Sequence, residues 1–247
     1  MADVRAFRSG NWSDITATSP WWNGTAIFAP AAGDVVYSNN FTIAIDQNIT
    51  TGTITNASAT SRVWKDGGTA AITATTGGYT LASTFTLNTN VTSNNSAQTC
   101  LSITSGSPSI VGTITGATSS TPSAINHSGS GSVSVTGNVI ASTSANPCEG
   151  IRNSSSGTIT ITGNISTGTN SGNAYGVNNS SSGIVTITGN VTSGTAIAAY
   201  NSSTGVFTVI GNVMAGTTAA GASNLSTGTF TVIGDITASN GANGFTS

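Results

Sequence analysis

The stretch GTITITGNI, residues 157–165, alternates aliphatic and small polar side chains between two glycines and closes on Asn and Ile. Written G-x-φ-T-φ-x-G-N-φ, with φ aliphatic or Phe, the unit returns as GSVSVTGNV (131–139), GIVTITGNV (183–191), GVFTVIGNV (205–213) and GTFTVIGDI (228–236). Its second glycine falls at 137, 163, 189, 211 and 234, so copies follow one another at 26, 26, 22 and 23 residues. Weaker copies run upstream: SPSIVGTI (107–114) puts Gly112 in the glycine position, while FTLNTNV (85–91) and FTIAIDQNI (41–49) carry Thr89 and Gln47 there.

Alternation with period two describes a strand with one buried face. In this register Ile159, Ile161 and Ile165 share a face with Val133, Val135 and Val139, then with Val185, Ile187 and Val191. Phe207, Val209 and Val213, and Phe230, Val232 and Ile236, continue the columns; Ile43, Ile45, Ile49, Phe85, Leu87 and Val91 begin them. A unit of 22–26 residues cannot cover such a stripe alone. Neighbouring copies stacked at about 4.8 Å can, each burying the apolar face of the next. The expected fold is therefore all-β: a parallel β-helix, its crossovers right-handed by the general rule for parallel strands. A second column supports the register. Asn153, Asn179, Asn201 and Asn224 each lie four residues before an opening glycine, and stacked Asn side chains can bond along the stack. His127, the single histidine, lies 26 residues before Asn153 and so reads as a hydrogen-bonding member of that column.

Other all-β solutions fit less well. An outer-membrane barrel takes strands of about 9–11 residues and aromatic girdles, whereas these stretches are shorter and almost free of aromatics. A hairpin sandwich accounts for short strands but not for ladders this regular.

Composition narrows function. Of 247 residues only 5 are Lys or Arg and 7 Asp or Glu, 5% of the chain, against about 25% in ordinary soluble domains. Five cations supply no footprint for nucleic acid. No apolar run reaches the about 20 residues of a membrane-spanning helix. The opening MADVRAFRSGNWSD has no apolar signal core, so no conventional export signal is expected.

The repeat body is equally poor in catalytic groups. Glycoside hydrolysis commonly takes two carboxyl groups about 5–9.5 Å apart. After residue 67 the only acids are Glu149 and Asp235, 86 residues apart, or roughly 15 Å along the axis at about 4.8 Å per rung. Asp235 falls in the column of Asn138, Asn164, Asn190 and Asn212 and reads as a repeat variant. No P-loop, G-x-S-x-G or H-E-x-x-H motif occurs. With one histidine and two cysteines there is no ligand cluster for a metal, and no cofactor is expected. Cys100 and Cys148 lie 48 residues apart, about two rungs. An offset of about 9–10 Å exceeds the roughly 7 Å between Cα atoms that a disulfide spans, so two thiols are expected. Cys100 aligns with Ile125 and Ile151 as a small core residue. The frequent N-x-S/T triplets (at Asn11, Asn48, Asn164 and Asn190 among others) follow from composition.

Two regions remain as candidate surfaces. Between the buried aliphatics, Ser134, Thr160, Thr186, Thr208 and Thr231 form an outward column flanked by Ser132 and Thr158 and by Thr136, Thr162 and Thr188. Such a flat, uncharged face of hydroxyls and methyls suits a glycan, a neighbouring protein or ice; the high β-propensity of Thr accounts for it equally. The second region is the start of the chain. Nine of the twelve charged residues and all four tryptophans precede residue 67. Residues 1–40, with Trp12, Trp21 and Trp22, read as a cap over the first rung or as a docking segment, and 41–247 as the solenoid body. At the other end, DITASNGANGFTS follows the last repeat strand without a cap of its own, so a partner, self-association or a further segment is expected to cover it.

The opening GNW…GD…T-I-x-I-D, followed by tandem T-G-N-V units and the turn AYGVNN (174–179), resembles repeat-containing structural proteins of tailed bacteriophages: tail fibres, spikes or capsid-decorating proteins. The resemblance implies a virion protein assembled in the host cytoplasm beside other virion proteins. It also implies a homo-oligomer (a trimer is favoured) and contact with host surface glycans. It implies no catalytic residues. The competing expectation is a free glycan-binding adhesin at a cell surface, or an ice-binding solenoid, using the Thr face.

Overall fold

The computed structural model describes residues 3–22, 24–31, 35–37, 43–45, 49–51, 53–54, 63–66, 71–74, 79–81, 86–88, 90–93, 99–116, 123–141, 149–168, 175–216, 219–239 and 243–247. For the strands between 37 and 89 only backbone register is described.

The chain is a parallel β-solenoid. Each repeat unit yields one strand before its second glycine and another after it. A third precedes the next unit, as in Thr158–Thr162, Ile165–Ser166 and Val177–Asn179. Among the described residues like strands pair with like, in parallel, through sheets of ten, nine and eight strands, here called sheets 1, 2 and 3 in the order of those examples. Through the clear repeat units the pairing follows the repeat: Ile159 sits between Val133 and Val185, Ile161 between Val135 and Ile187, and Ile165 between Val139 and Val191.

Parallel strands buried on the inner face need apolar columns, and the alternation supplies them. The inward triplets of residues 133–139, 159–165, 185–191 and 207–213 have no solvent exposure, from Val133 through Val213. Sheet 3 adds Leu101, Ile125, Ile151, Val177, Ala199 and Ala222, one below another.

The second glycine is required where the chain turns from sheet 1 to sheet 2. Gly163 has φ of 152°, and a Cβ built there would lie 2.1 Å from the carbonyl oxygen of Gly137 one rung before. The Asn that follows fastens the corner. The Asn138 Oδ1 accepts from the Asn164 N–H at 2.9 Å, Asn164 repeats this toward Asn190, Asn190 toward Asn212, and Asn212 toward Asp235 at 3.0 Å. A lone N–H at an exposed corner thus gains a fixed acceptor on every rung, which accounts for the G-N pair of the motif.

Two alignments made from sequence are corrected by the register. Leu101, not Cys100, pairs with Ile125. Cys100 is buried one position earlier, its N–H bonded to the Ser123 carbonyl, because the strand turns Leu101 and Ile103 inward and takes the smaller side chain at its entry. Near the start of sheet 1, Ile43 stands level with Trp64, and Trp64 with Leu87. The FTIAIDQNI copy is therefore offset by two positions before Ile49 rejoins the column opposite Ile72. Gln47, Phe85, Thr89 and Cys148 lie outside the described residues, and so does the question of a Cys100–Cys148 bridge.

The first residues build directly onto this frame. Gly10–Asn11 pairs in parallel with Ile43–Ala44 as the outermost strand of sheet 1. Asp3–Arg5, Val35–Tyr37 and Thr53–Ile54 form a separate three-stranded parallel sheet. Trp21 is fully buried, and its Nε1–H donates to the Trp12 carbonyl at 3.1 Å. The Trp12 ring meets it edge-on, with centroids 5.0 Å apart. Both belong to the same continuous hydrophobic core as the solenoid aliphatics.

Candidate functional site

The expected Thr column exists as a physical row. Ser134, Thr160, Thr186, Thr208 and Thr231 are successive partners in sheet 1, and Thr86 and Ser109 extend the row upstream. Ser134, Thr160 and Thr231 are exposed and the other two half-buried. The flanking columns change character along the axis. Ser132 and Thr158 give way to Ile184 and Val206, while Thr136, Thr162 and Thr188 give way to Ile210 and Ile233. Those four aliphatics are 37–61% exposed. The face is hydroxyl-lined over its middle rungs and mixed with aliphatics further on.

Trp12 and Trp21 point into the core, while Trp22 is half-buried and bridges Ile27. The exposed apolar side chains of this region are Phe7, Ile15 and Phe28. Asp14 organises its turn: the carboxylate accepts from the Thr16 hydroxyl and N–H and from the Thr18 hydroxyl, bonds that hold its pKa below the ordinary carboxylate value.

The interior Asn column is a hydrogen-bonded ladder. Asn153 Nδ2 donates to Asn179 Oδ1 at 3.0 Å, Asn179 Nδ2 to Asn201 Oδ1 at 3.1 Å, and Asn201 Nδ2 to Asn224 Oδ1 at 3.0 Å. The Nδ2 groups of Asn179, Asn201 and Asn224 also reach the carbonyls of Gly183, Gly205 and Gly228. His127 stands at the head of the ladder, level with Asn153 on one side and Ile103 on the other. It is fully buried, with Nδ1 3.3 Å from Ser155 Oγ and no hydrogen-bond partner for Nε2. Burial holds its pKa below the ordinary value, partly opposed by a bond with Asn153. This is the environment of a structural imidazole.

A third constellation escaped the sequence reading. On the outer side of sheet 3, Asn126, Arg152, Asn178 and Tyr200 occupy one column, each a rung on from the last. Beside it, just before the strands, Ser123, Glu149 and Tyr175 stand on successive rungs, linked by Ala124 N–H to Glu149 O and Gly150 N–H to Tyr175 O. Glu149 accepts from Asn178 Nδ2 at 2.7 Å and from the Ser123 hydroxyl at 3.1 Å, with Arg152 Nε 4.0 Å away. The Tyr175 and Tyr200 rings stack with centroids 4.4 Å apart and planes within 7°. The Tyr175 pKa is raised by burial first, then by Tyr200 and Glu149. Glu149 and Arg152 were legible only as isolated charges, because the bonds that unite them with the tyrosines run diagonally from rung to rung.

Asp235 ends the corner column, between sheets 1 and 2, away from Glu149 at the entry to sheet 3. Among the described residues no three His, Cys, Asp or Glu side chains converge as a metal site. No protein-family description, curated protein or solved structure matches the chain.

Proposed function

We propose that the chain is a non-enzymatic structural protein of a phage-like particle, projecting from the particle or decorating its surface as a homo-oligomer. The observation that carries this reading is the in-register stack itself. Each rung adds about 4.8 Å along one axis, which is the geometry of a spacer or display element. The T-G-N-V repeats and the GNW opening add the resemblance to virion structural proteins. Mass spectrometry of purified particles, with copies counted against the major capsid protein, tests it. Copy numbers near that of the capsid subunit mean decoration, a few per particle mean a fibre or spike, and absence overturns the reading.

A second reading, a glycan-binding adhesin, is favoured by the uninterrupted Ser134–Thr231 row with its exposed hydroxyls. If that row carries the ligand, Thr160→Tyr abolishes binding without altering the fold. Ice binding is less well supported. Ile184, Val206, Ile210 and Ile233 interrupt the hydroxyl lattice, and rungs vary from 22 to 26 residues.

A further inference from the structure

We propose that Tyr175, Tyr200, Glu149, Arg152 and Asn178 form a saccharide-binding subsite on the outer face of sheet 3, selective for a neutral pyranose-containing oligosaccharide. The proposal rests on the adhesin reading and moves its ligand from the Thr face to this cluster.

The fold does not ask for these side chains. The column that carries Asn126, Arg152, Asn178 and Tyr200 is occupied by Ser102 and Ser223 on other rungs, and Tyr175's column by Ser123 and Ile197. From residue 99 onward the sequence has three charged residues and two tyrosines. Two of those charges and both tyrosines meet here, on three consecutive rungs. Random scatter over a wall of Ser, Thr and Asn does not assemble them.

Their chemistry is complementary to a sugar. A stacked, half-buried tyrosine pair offers aromatic surface to the C–H face of a pyranose ring. Beside it, Glu149 supplies a carboxylate acceptor already oriented by Asn178 and Ser123, and the exposed Arg152 guanidinium supplies donors. Two further acceptors are unused. The Oδ1 atoms of Asn126 and Asn178 have no hydrogen-bond partner and are shielded from solvent, with Asn178 only 7% exposed. An orphaned acceptor in such a place is unfavourable, and a sugar hydroxyl admitted by movement of the covering side chains would satisfy it. Three rungs span about 10 Å, roughly two pyranose units. The opposite charges of Glu149 and Arg152 balance, which favours a neutral ligand. The single cation excludes a polyanion, and a lone carboxylate already bonded by two donors makes a poor cation site.

The test uses the labelled 247-residue chain on an array of neutral, sialylated and sulfated glycans, followed by calorimetry with a retained oligosaccharide. Neutral pyranose oligosaccharides are expected to be retained. Tyr200→Ala should then weaken binding about tenfold, the order of one aromatic stacking contact, and Tyr200→Phe should hold most of it. Circular dichroism checks the fold of each variant. If Tyr200→Ala does not fold, the side-chain amide resonances of Asn178 in the wild-type chain replace it: they shift on titration if the site is here and stay fixed if it is elsewhere. Loss with Thr160→Tyr but not with Tyr200→Ala puts the glycan on the Thr face, which preserves the adhesin reading and overturns this site. Retention of anionic glycans alone overturns the neutral class, and an array with no retained glycan overturns site and adhesin reading together.

Discussion

At the scale of single residues, two glycines of positive φ separate backbone strain from steric exclusion. Gly24 and Gly163 both have positive φ, 99° and 152°. A Cβ at Gly24 would meet nothing within 4 Å, whereas at Gly163 it would overlap the Gly137 carbonyl. Gly24→Ala should therefore cost only the strain of an unfavourable backbone region, about 1–2 kcal/mol. Gly163→Ala must also push adjacent rungs apart, and its urea midpoint should fall well below that of Gly24→Ala; equal midpoints would mean the corner relaxes freely. His127 predicts a pH dependence. Burial lowers its folded-state pKa below the ordinary 6.5, so below that pH the unfolded chain binds a proton that the folded chain resists. The contribution of His127 to stability is complete above pH 6.5 and declines as pH falls through that value. Urea midpoints measured at pH 7.5 and 5.5 should show this decline in the wild-type chain. His127→Asn, which starts the Asn ladder one rung earlier, should reduce it.

At the scale of the element, the interior ladder is polar material inside an apolar tube, tolerable because its amides bond one another from rung to rung. Removing a middle member differs from removing an end. Asn179→Ala strands the Asn153 Nδ2 and the Asn201 Oδ1 in a buried setting, while the Gly183 carbonyl keeps the Val206 N–H. At about 1–3 kcal/mol for each unsatisfied buried group, a loss of at least ~2 kcal/mol is expected. Asn224 is half-buried, and its removal frees the Asn201 Nδ2, which keeps its contact with the Gly205 carbonyl, together with the Gly228 carbonyl. Asn224→Ala should cost clearly less, and comparing the urea midpoints of the two variants measures whether the ladder acts as a chain or as separate pairs.

At the scale of the whole molecule, what the sequence discloses is what repeats. Period-two alternation and the recurring G-N pair locate the columns, the parallel pairing and the interior Asn row, because each rung restates the same constraint. Cys100 is displaced by one position and Ile43 and Ile45 by two, since neither segment carries the glycine that marks the register. The Glu149–Tyr200 cluster was not legible at all, because its members are departures from the repeat and meet diagonally. The same repetition predicts how the molecule loosens. In a solenoid each rung is stabilised mainly by its two neighbours. Corner amides donate forward: Gly137 N–H to Thr162 O, Gly163 to Thr188, Gly189 to Ile210 and Gly211 to Ile233. Among the described residues Thr229–Ile233 is the edge strand of sheet 1, with no further strand paired beyond it. Its core thins correspondingly, from Phe207 fully buried, through Phe230 half-buried, to Phe245 at 43% exposure. Hydrogen exchange should thus be fastest in Thr229–Ile233 and Ile236–Ala238 and slowest in Thr158–Thr162 and Ile184–Thr188. Phe230→Ala removes the ring that bridges Phe207 and Phe245, whose centroids lie 5.0 and 5.7 Å from its own. It should speed exchange in the last rung while leaving the middle rungs near their wild-type rates. Uniform acceleration along the chain would mean instead that the rungs open only together, as one cooperative unit.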